Sequence, residues 1–246
     1  MHAHVAVTIN PADLAALNAV IFAVTRSLEE ADQALQRRDD LTIWGTGCHP
    51  GLVRAHQAFS SDRFCQQVEL TPYVGELGLD GKSRVPMSLQ QSTLRAALEA
   101  LSVRPRITSL HSYAATAELI AMLEHHRPVG AVLHWWLGTE QETRRAIELG
   151  CYFSINSSSC RRRDLLRIIP LDRLLTETDH PFGDRSHRGV SKPGNVSDVE
   201  EVIANVHSLS SVECRLTMWR NLYVLITTLG IGSLFSPKIR ALLASA

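Results

Sequence analysis

The sequence of 246 residues contains no apolar run near the roughly 18 residues that a membrane-spanning helix needs, so no membrane association is predicted. It also lacks a basic amino-terminal stretch followed by an apolar one, which argues against a secretion signal. Neither sign of charge is in excess, because 25 Lys and Arg residues balance 25 Asp and Glu residues. A nucleic-acid ligand would therefore have to be held by a local basic patch.

Cysteine is scarce and irregularly placed. The chain has five cysteines, an odd number, and no two of them form a Cys-x-x-Cys pair. This pattern argues against a disulfide framework and indicates reduced thiols. We therefore expect a cytoplasmic protein.

Short β-branched or leucine-rich runs alternate with helical patterns along the chain, which predicts right-handed βαβ units and a parallel sheet. Strands are predicted over residues 19–25, 41–48, 73–79, 106–111, 130–135, 151–156 and 173–178, after a stub at the amino terminus. Eight strands in about 250 residues are typical of a TIM-type (β/α)8 barrel. We predict an α/β fold of this type, with one domain over residues 1–246. Its first strand would be truncated, since almost no chain precedes His2.

Helix boundaries are marked by capping patterns. Ser27 with Glu30, and Thr139 with Glu142, have the spacing of a capping box. Gly150 is placed to end the second of these helices. The apolar residues of 196–229 predict a helical stretch that covers the outside of the barrel.

Residues that commonly bind metals follow the predicted strands in series. They are His2, His4, Glu76, His111, His134 and Asp179. Taken singly, each has a plainer interpretation: a His-x-His near a terminus can be solvated, a buried glutamate can be ion-paired, and a lone histidine is usually a hydrogen-bonded core residue. Because the carboxyl ends of barrel strands share one face, their joint occurrence favours one or two divalent metal ions. Imidazole mixed with carboxylate suits Zn²⁺, Mn²⁺ or Mg²⁺.

Further side chains could contact a substrate from the loops on that face. Trp135 could stack on a base, although at least one residue of the pair Trp135 and Trp136 is expected to be buried. His49 belongs either to the site wall or to a turn. Basic candidates for phosphate binding are Arg161, in the run 161–163, and Arg185 and Arg188 with their neighbours His187 and Lys192. The plainer interpretation of the run 161–163 is that these residues begin a helix, are exposed to solvent and bind no ligand.

Together these motifs resemble the TatD family of metal-dependent deoxyribonucleases, barrel enzymes of the amidohydrolase-like group, over nearly the whole chain. The matching elements are the His-x-His pair, His49-Pro50, residues 75–80 (GELGLD), the two strand-end histidines, residues 177–181 (ETDHP) and Asn221. The resemblance implies one cation held by His2, His4, Glu76 and Asp179, and a second held by Glu76, His111 and His134. It also implies phosphodiester hydrolysis with Glu76 and Asp179 as catalytic residues, Asp179 accepting the proton of the attacking water.

Residues 107–112, 132–135, 148–154 and 80–86 are closer to one branch of the family, the QatD proteins of Qat anti-phage defence systems. This implies a role in a defence assembly, with DNA as substrate and other Qat proteins as partners. Two positions depart from the family pattern. Tyr113 stands in place of an arginine, which removes a phosphate contact, and Leu137 stands in place of a serine, which removes a hydroxyl group.

Two other functions remain open from the sequence. One is a barrel hydrolase acting on an amide or ester, such as a deacylase, which would need fewer basic residues around the metal site. The other is a non-catalytic barrel that serves as a subunit of a complex, an interpretation favoured by the short first strand.

Overall fold

Eight parallel strands form the centre of the fold in the computed structural model, which describes residues 1–184 and 192–245. They are β1 His2–His4, β2 Ile21–Val24, β3 Thr42–Trp44, β4 Tyr73–Gly78, β5 Ile107–His111, β6 Ala131–His134, β7 Tyr152–Ile155 and β8 Leu174–Thr176. The strands pair in chain order within two sheets, one of order β1-β2-β3 and one of order β4-β5-β6-β7-β8.

Two seams join these sheets into a closed barrel. At one seam Ala3 pairs in parallel with His180, just beyond β8. At the other, Thr46 pairs in parallel with Val74 of β4. The predicted (β/α)8 architecture is therefore confirmed. Strand β1 has three residues, and so do β3 and β8, so a short strand is not peculiar to the first position.

The helices connect the strands and cover the barrel. They are α1 Pro11–Ala16, α2 Leu28–Ala34, α3 Val53–Gln57, α4 Ser61–Val68, α5 Met87–Val103, α6 Thr116–His126, α7 Glu140–Glu148, α8 Arg163–Ile168, α9 Ser197–His207, α10 Ser211–Leu229 and α11 Pro237–Ala244. Short 3₁₀ helices lie at Ser159–Arg161, Leu171–Arg173 and Gly232–Leu234. Within the described ranges, no helix is both long enough and apolar enough to cross a membrane.

Alternate residues of each strand face opposite sides of the sheet. One set packs against the helices and includes Leu77, Leu110, Leu133, Phe153 and Leu174. The other set faces the barrel interior, where the residues nearest the strand starts form an apolar layer with the carboxyl-terminal helices. This layer, called the floor below, contains Phe22, Ile43, Tyr73, Ile107, Val132, Tyr152, Leu175, Leu222, Leu225, Ile226, Phe235, Ile239 and Leu243.

The helix caps lie where the sequence predicts them, but one predicted helical stretch is divided in two. The Ser27 side chain caps α2, the Thr139–Glu142 capping box opens α7, and Gly150 adopts a left-handed φ of 78° after it. The stretch 196–229 is two helices rather than one, because Ser208 has a left-handed φ of 56° and Ser210 starts a new capping box. Its first helix and the start of its second pack on the outside of the barrel, while Leu222 and the residues beyond it reach the floor.

Candidate active site

The six predicted metal ligands meet at the carboxyl-terminal end of the barrel, called the mouth below. Four of them are almost completely buried: His2, Glu76, His134 and Asp179. His2 and His4 come from β1, Glu76 from β4, His111 from β5 and His134 from β6, while Asp179 follows β8. The structure therefore brings together every residue of the predicted ligand set. That these residues bind metal stays a prediction.

The carboxylate of Glu76 lies at the centre of the cluster, and its two oxygens face different neighbours. Oε1 lies 2.8 Å from His111 Nδ1 and 3.0 Å from His134 Nε2. Those two imidazole nitrogens are themselves 3.1 Å apart. Oε2 instead lies 3.4 Å from His4 Nε2 and 3.4 Å from His49 Nε2. One carboxylate thus separates two groups of imidazoles.

Asp179 completes the group on the Oε2 side. Its Oδ1 lies 3.5 Å from His2 Nε2 and 3.4 Å from His4 Nε2. Backbone hydrogen bonds hold these residues across the seam, from Asp179 N to His2 O at 2.8 Å and from His4 N to His180 O at 2.9 Å. Asp179 has a left-handed φ of 44°, a conformation that costs a non-glycine residue energy and that recurs at functional sites.

A β-bulge directs Glu76 towards the other ligands. The register between β4 and β5 shifts between Val74 and Leu77, so β4 carries an extra residue there, and such bulges re-aim side chains beside active sites. The neighbouring chain must approach closely, since a Cβ on Gly47 would lie 2.5 Å from the backbone N and O of Glu76. Glycine at position 47 is therefore needed for this packing.

The cluster has the properties expected of a divalent-cation site. His2 Nε2, Glu76 Oε2 and Asp179 Oδ1 are buried atoms with no hydrogen-bond partner in the described part of the chain. Buried polar atoms are normally paired, so unpaired ones that converge indicate a missing cation or donor. Among the residues that the structure describes, two groups have the spacing for a metal ion, namely His2 with Glu76 and His134, and His2 with His4 and Asp179, so His2 is common to both. The donor set fits the predicted ions.

The surroundings set the charge of these groups. Burial lowers the pKa of His2, helped by His134, which keeps the imidazole neutral and able to donate a lone pair. Burial acts to raise the pKa of Glu76, but His49, His111 and His134 outweigh it and hold that pKa well below its usual range. Burial raises the pKa of Asp179, which makes this carboxylate a better proton acceptor.

Sequence reasoning missed Glu177, a fully buried carboxylate of the same segment. Its Oε1 accepts hydrogen bonds from Trp135 N and from Asn156 Nδ2, both at 3.0 Å, and its Oε2 accepts one from the Ser154 hydroxyl. His134 Nδ1 lies 3.8 Å from Oε1. The available sequence signal was the place of Glu177 at the start of the segment 177–181, directly after β8. Glu177 is placed to orient His134 from behind.

The predicted substrate-binding residues differ from one another in location and in exposure to solvent. His49 lies in the cluster, and its Nδ1 accepts a hydrogen bond from Gly51 N at 2.9 Å. Trp135 is partly exposed beside His134, while Trp136 is buried, as expected for one of the two. Arg161 is exposed in the 3₁₀ helix after β7. Arg185 and Arg188 lie outside the described residues.

A profile of the family described as TatD related DNase matches residues 3–227 of this chain. The chain belongs to the TatD family. It is 35% identical over 184 residues to the 3'-5' ssDNA/RNA exonuclease TatD of Cronobacter turicensis, a match that covers 68% of each chain. It is 28% identical over 184 residues to the deoxyribonuclease Tat-D of Schizosaccharomyces pombe, covering 60% of this chain and 59% of the relative. Family membership makes the chain a hydrolase.

Solved structures agree on the fold. The TatD homolog YJJV of Escherichia coli superposes with a TM-score of 0.78 at 22% identity, covering 91% of this chain and 96% of the homolog. The phosphotriesterase homology protein of the same organism, crystallised with phosphate in its active site, gives a TM-score of 0.57 at 14% identity, covering 87% and 93%. At these identities the likeness extends to the barrel architecture.

Proposed function

We propose that this TatD-family hydrolase is a metal-dependent phosphodiesterase that cleaves DNA. The observation that carries the proposal is the position of Glu76, whose two carboxylate oxygens face separate groups of imidazoles. Glu76 in this position would contribute a ligand to each of two cation sites, and two cations suit phosphodiester hydrolysis. Nuclease activity named for the relatives supports the same reaction class.

In this proposal the residues of the cluster form two ligand groups that share Glu76. His2, His4, Glu76 and Asp179 would hold one cation, and Glu76, His111 and His134 a second. Divalent cations held there supply Lewis-acid chemistry, since they lower the pKa of bound water and neutralise charge on a phosphoryl group. Asp179 would also accept the proton of the attacking water through its carboxylate. Imidazole and carboxylate ligands favour Zn²⁺ or Mn²⁺, with Mg²⁺ as the harder alternative.

His49 is proposed to contact the substrate rather than a cation. Because its Nδ1 accepts a hydrogen bond from Gly51 N, its neutral form carries the proton on Nε2. Burial lowers the pKa of His49, which favours that neutral form. An Nε2–H group at the mouth donates to a phosphate oxygen. We propose Arg161, Arg185 and Arg188 as further contacts to the nucleic-acid backbone.

The test is hydrolysis by the purified chain of a DNA oligonucleotide and of bis(p-nitrophenyl) phosphate, a base-free phosphodiester, with added Mn²⁺, Zn²⁺ or Mg²⁺. The proposal expects turnover of both, abolished by chelation and by Glu76→Ala. Glu69→Ala is the matched control, because Glu69 is a half-exposed carboxylate paired with Arg104, outside the ligand cluster. Metal-dependent cleavage of amides or carboxylic esters with no turnover of either phosphodiester would refute the proposal and favour the deacylase alternative.

We propose in addition that the enzyme works in the cytoplasm, with other Qat proteins, in an anti-phage defence assembly. The support is the resemblance of residues 107–112, 132–135 and 148–154 to the QatD branch. The proposal predicts that a host carrying the complete gene set resists phage, and that Glu76→Ala abolishes the resistance. Equal plating of phage on hosts with and without the wild-type gene would contradict it.

A further inference from the structure

Large apolar side chains are exposed around the mouth of the barrel. In the described residues, several follow the carboxyl ends of strands β3, β5, β6 and β8, namely Leu52, Val53, Tyr113, Leu137 and Phe182. Tyr113 is 55% exposed, and Leu137 and Phe182 are each 46% exposed. Exposed apolar groups beside a ligand cluster can form a binding surface. Tyr113 and Leu137 place such surface close in sequence to His111 and His134.

Two aromatic residues leave the ends of adjacent strands. Tyr113 is two residues beyond His111 of β5, and Trp135 directly follows His134 of β6. The rings of those two histidines have centroids 5.2 Å apart, so both aromatic residues start close to the metal ligands.

Buried groups fix the backbone of Trp135. Its φ of 42° is left-handed, and its N–H donates to the buried Glu177 carboxylate at 3.0 Å. A residue whose backbone is already held loses little further backbone freedom when a ligand stacks on its side chain. On the opposite side of the mouth, the Phe182 ring lies edge-on to His4, with centroids 5.3 Å apart.

Positive charge accompanies Tyr113. Its carbonyl oxygen accepts a hydrogen bond from Gly81 N at 2.8 Å, which places the loop after β4 alongside it. That loop carries the exposed cations Lys82 and Arg84. An aromatic surface beside a few cations is the combination that binds single-stranded nucleic acid, where bases stack on rings and cations follow the backbone.

We propose that Tyr113 and Trp135 form a platform on which the unpaired bases of single-stranded nucleic acid stack as the chain enters the mouth. The inference rests on the proposed phosphodiesterase function for its substrate class, and it adds the residues that hold the bases. Duplex DNA hides its base faces inside the helix, so this platform selects single strands and frayed ends. The neighbouring cations Lys82 and Arg84 hold the backbone.

The first test is binding without catalysis. Fluorescence anisotropy in the presence of a chelator compares a labelled single-stranded oligothymidylate with a strand of equal length made of abasic sites. We expect the oligothymidylate to bind more tightly, and Tyr113→Ala to weaken its binding by about 5- to 100-fold, the range for loss of one stacked base. Binding of the abasic strand should hardly change.

Two further variants serve as controls. Tyr113→Phe keeps the ring and should retain most of the affinity, which separates stacking from hydrogen bonding by the hydroxyl group. Tyr223→Ala removes a tyrosine that is 49% exposed on α10, away from the mouth, and should leave binding unchanged. Equal binding of the two strands, or equal losses in Tyr113→Ala and Tyr223→Ala, would overturn the inference.

The second test distinguishes failure of the inference from failure of the proposed function. With metal present, Tyr113→Ala should raise the KM for the oligothymidylate but leave the KM for the abasic strand unchanged, whereas Tyr223→Ala should leave both unchanged. Wild-type KM values on both substrates would overturn the base platform while the phosphodiesterase stands. No turnover of either substrate by the wild type, together with tighter binding of the base-bearing strand, would refute the phosphodiesterase and retain the platform.

Discussion

At the floor of the barrel the interior side chains are aliphatic or aromatic, whereas a few residues further along the same strands they are imidazoles and carboxylates. Strand β5 makes this change between Ile107 and His111, and β6 makes it between Val132 and His134. Floor residues pack against one another, although the buried Tyr73 hydroxyl among them has no hydrogen-bond partner in the described residues. Several buried atoms at the mouth lack such partners, namely His2 Nε2, Glu76 Oε2 and Asp179 Oδ1. The floor is therefore held mainly by apolar packing, and the mouth is arranged for something it must bind.

The largest expected effect is loss of catalysis at the mouth. Glu76→Ala removes the carboxylate that faces both groups of imidazoles, so we expect phosphodiester hydrolysis to fall about a thousandfold or more. The same variant should lose the rise in melting temperature that Mn²⁺ gives the wild type, while melting without metal changes little, because a cation stabilises only the fold that binds it. Equal losses in melting temperature with and without Mn²⁺ would mean that Glu76 is a structural ion-pair residue.

The corresponding change at the floor is Phe22→Ala. Phe22 is buried against Tyr73 and Phe235, with ring centroids 5.1 and 6.2 Å apart. Its truncation should lower the free energy of unfolding by about 3–5 kcal/mol, measured by urea denaturation of the metal-free protein. Metal affinity of the folded variant should match the wild type. A tenfold loss of that affinity would show that the stability of the floor and metal binding at the mouth are not independent.

A smaller effect is expected from the carboxylate that lies between the two regions. Glu177→Gln keeps an acceptor for Trp135 N but removes the negative charge near His134 Nδ1. We expect metal affinity, measured by calorimetry, to fall about 10- to 100-fold, as for other groups that orient metal ligands. Ser154→Ala, which removes one hydrogen bond to the same carboxylate, is the milder comparison. Wild-type affinity in Glu177→Gln would limit Glu177 to a structural role.

The smallest effect concerns the basic residues after β7. Arg162 pairs with Asp164 at 2.7 Å and is not expected to bind phosphate strongly. Replacing Arg161 and Arg163 with alanine should weaken single-strand binding and flatten its dependence on salt by roughly 0.7 in log–log slope per lost contact. Arg104→Ala, a change to an exposed arginine that precedes β5, is the control. Equal slopes in all three proteins would assign the run 161–163 to the solvated surface.

Much of the barrel was predictable because strand and helix periodicities differ and because metal-binding residue types followed the strands. Local pairing was not predictable. Strand β3 ends at Trp44 rather than near Cys48, because the chain turns from β2 to β4 after Gly45, whose N still donates to Ala23 O. Thr46 pairs with Val74, and Gly47 packs on Glu76. The bulge in β4 depends on the register of its neighbour, which the sequence of β4 does not contain.

Two further features of the structure differ from the prediction, namely the break in the helical stretch 196–229 and the burial of Glu177. The capping box of Ser210 and Glu213 marks the start of α10 and hence the break in the stretch 196–229. Glu177 lies two residues before Asp179, but a glutamate is usually solvent-exposed, so its burial was not expected. Its full burial depends on Ser154 and Asn156 of the adjacent strand, and only the folded structure brings those residues together.

The central claim is that Glu76 joins two cation sites at one mouth, and metal stoichiometry tests it most directly. Mn²⁺ titration by calorimetry, with metal content checked by elemental analysis, should give two ions per chain for the wild type, because Glu76 Oε1 faces His111 and His134 while Oε2 faces His4. His111→Ala should leave one ion, held by the group that contains His4 and Asp179, and Glu76→Ala should weaken both sites. A wild-type chain that binds no ion, or one whose stoichiometry and affinity are unchanged in Glu76→Ala, would contradict the account.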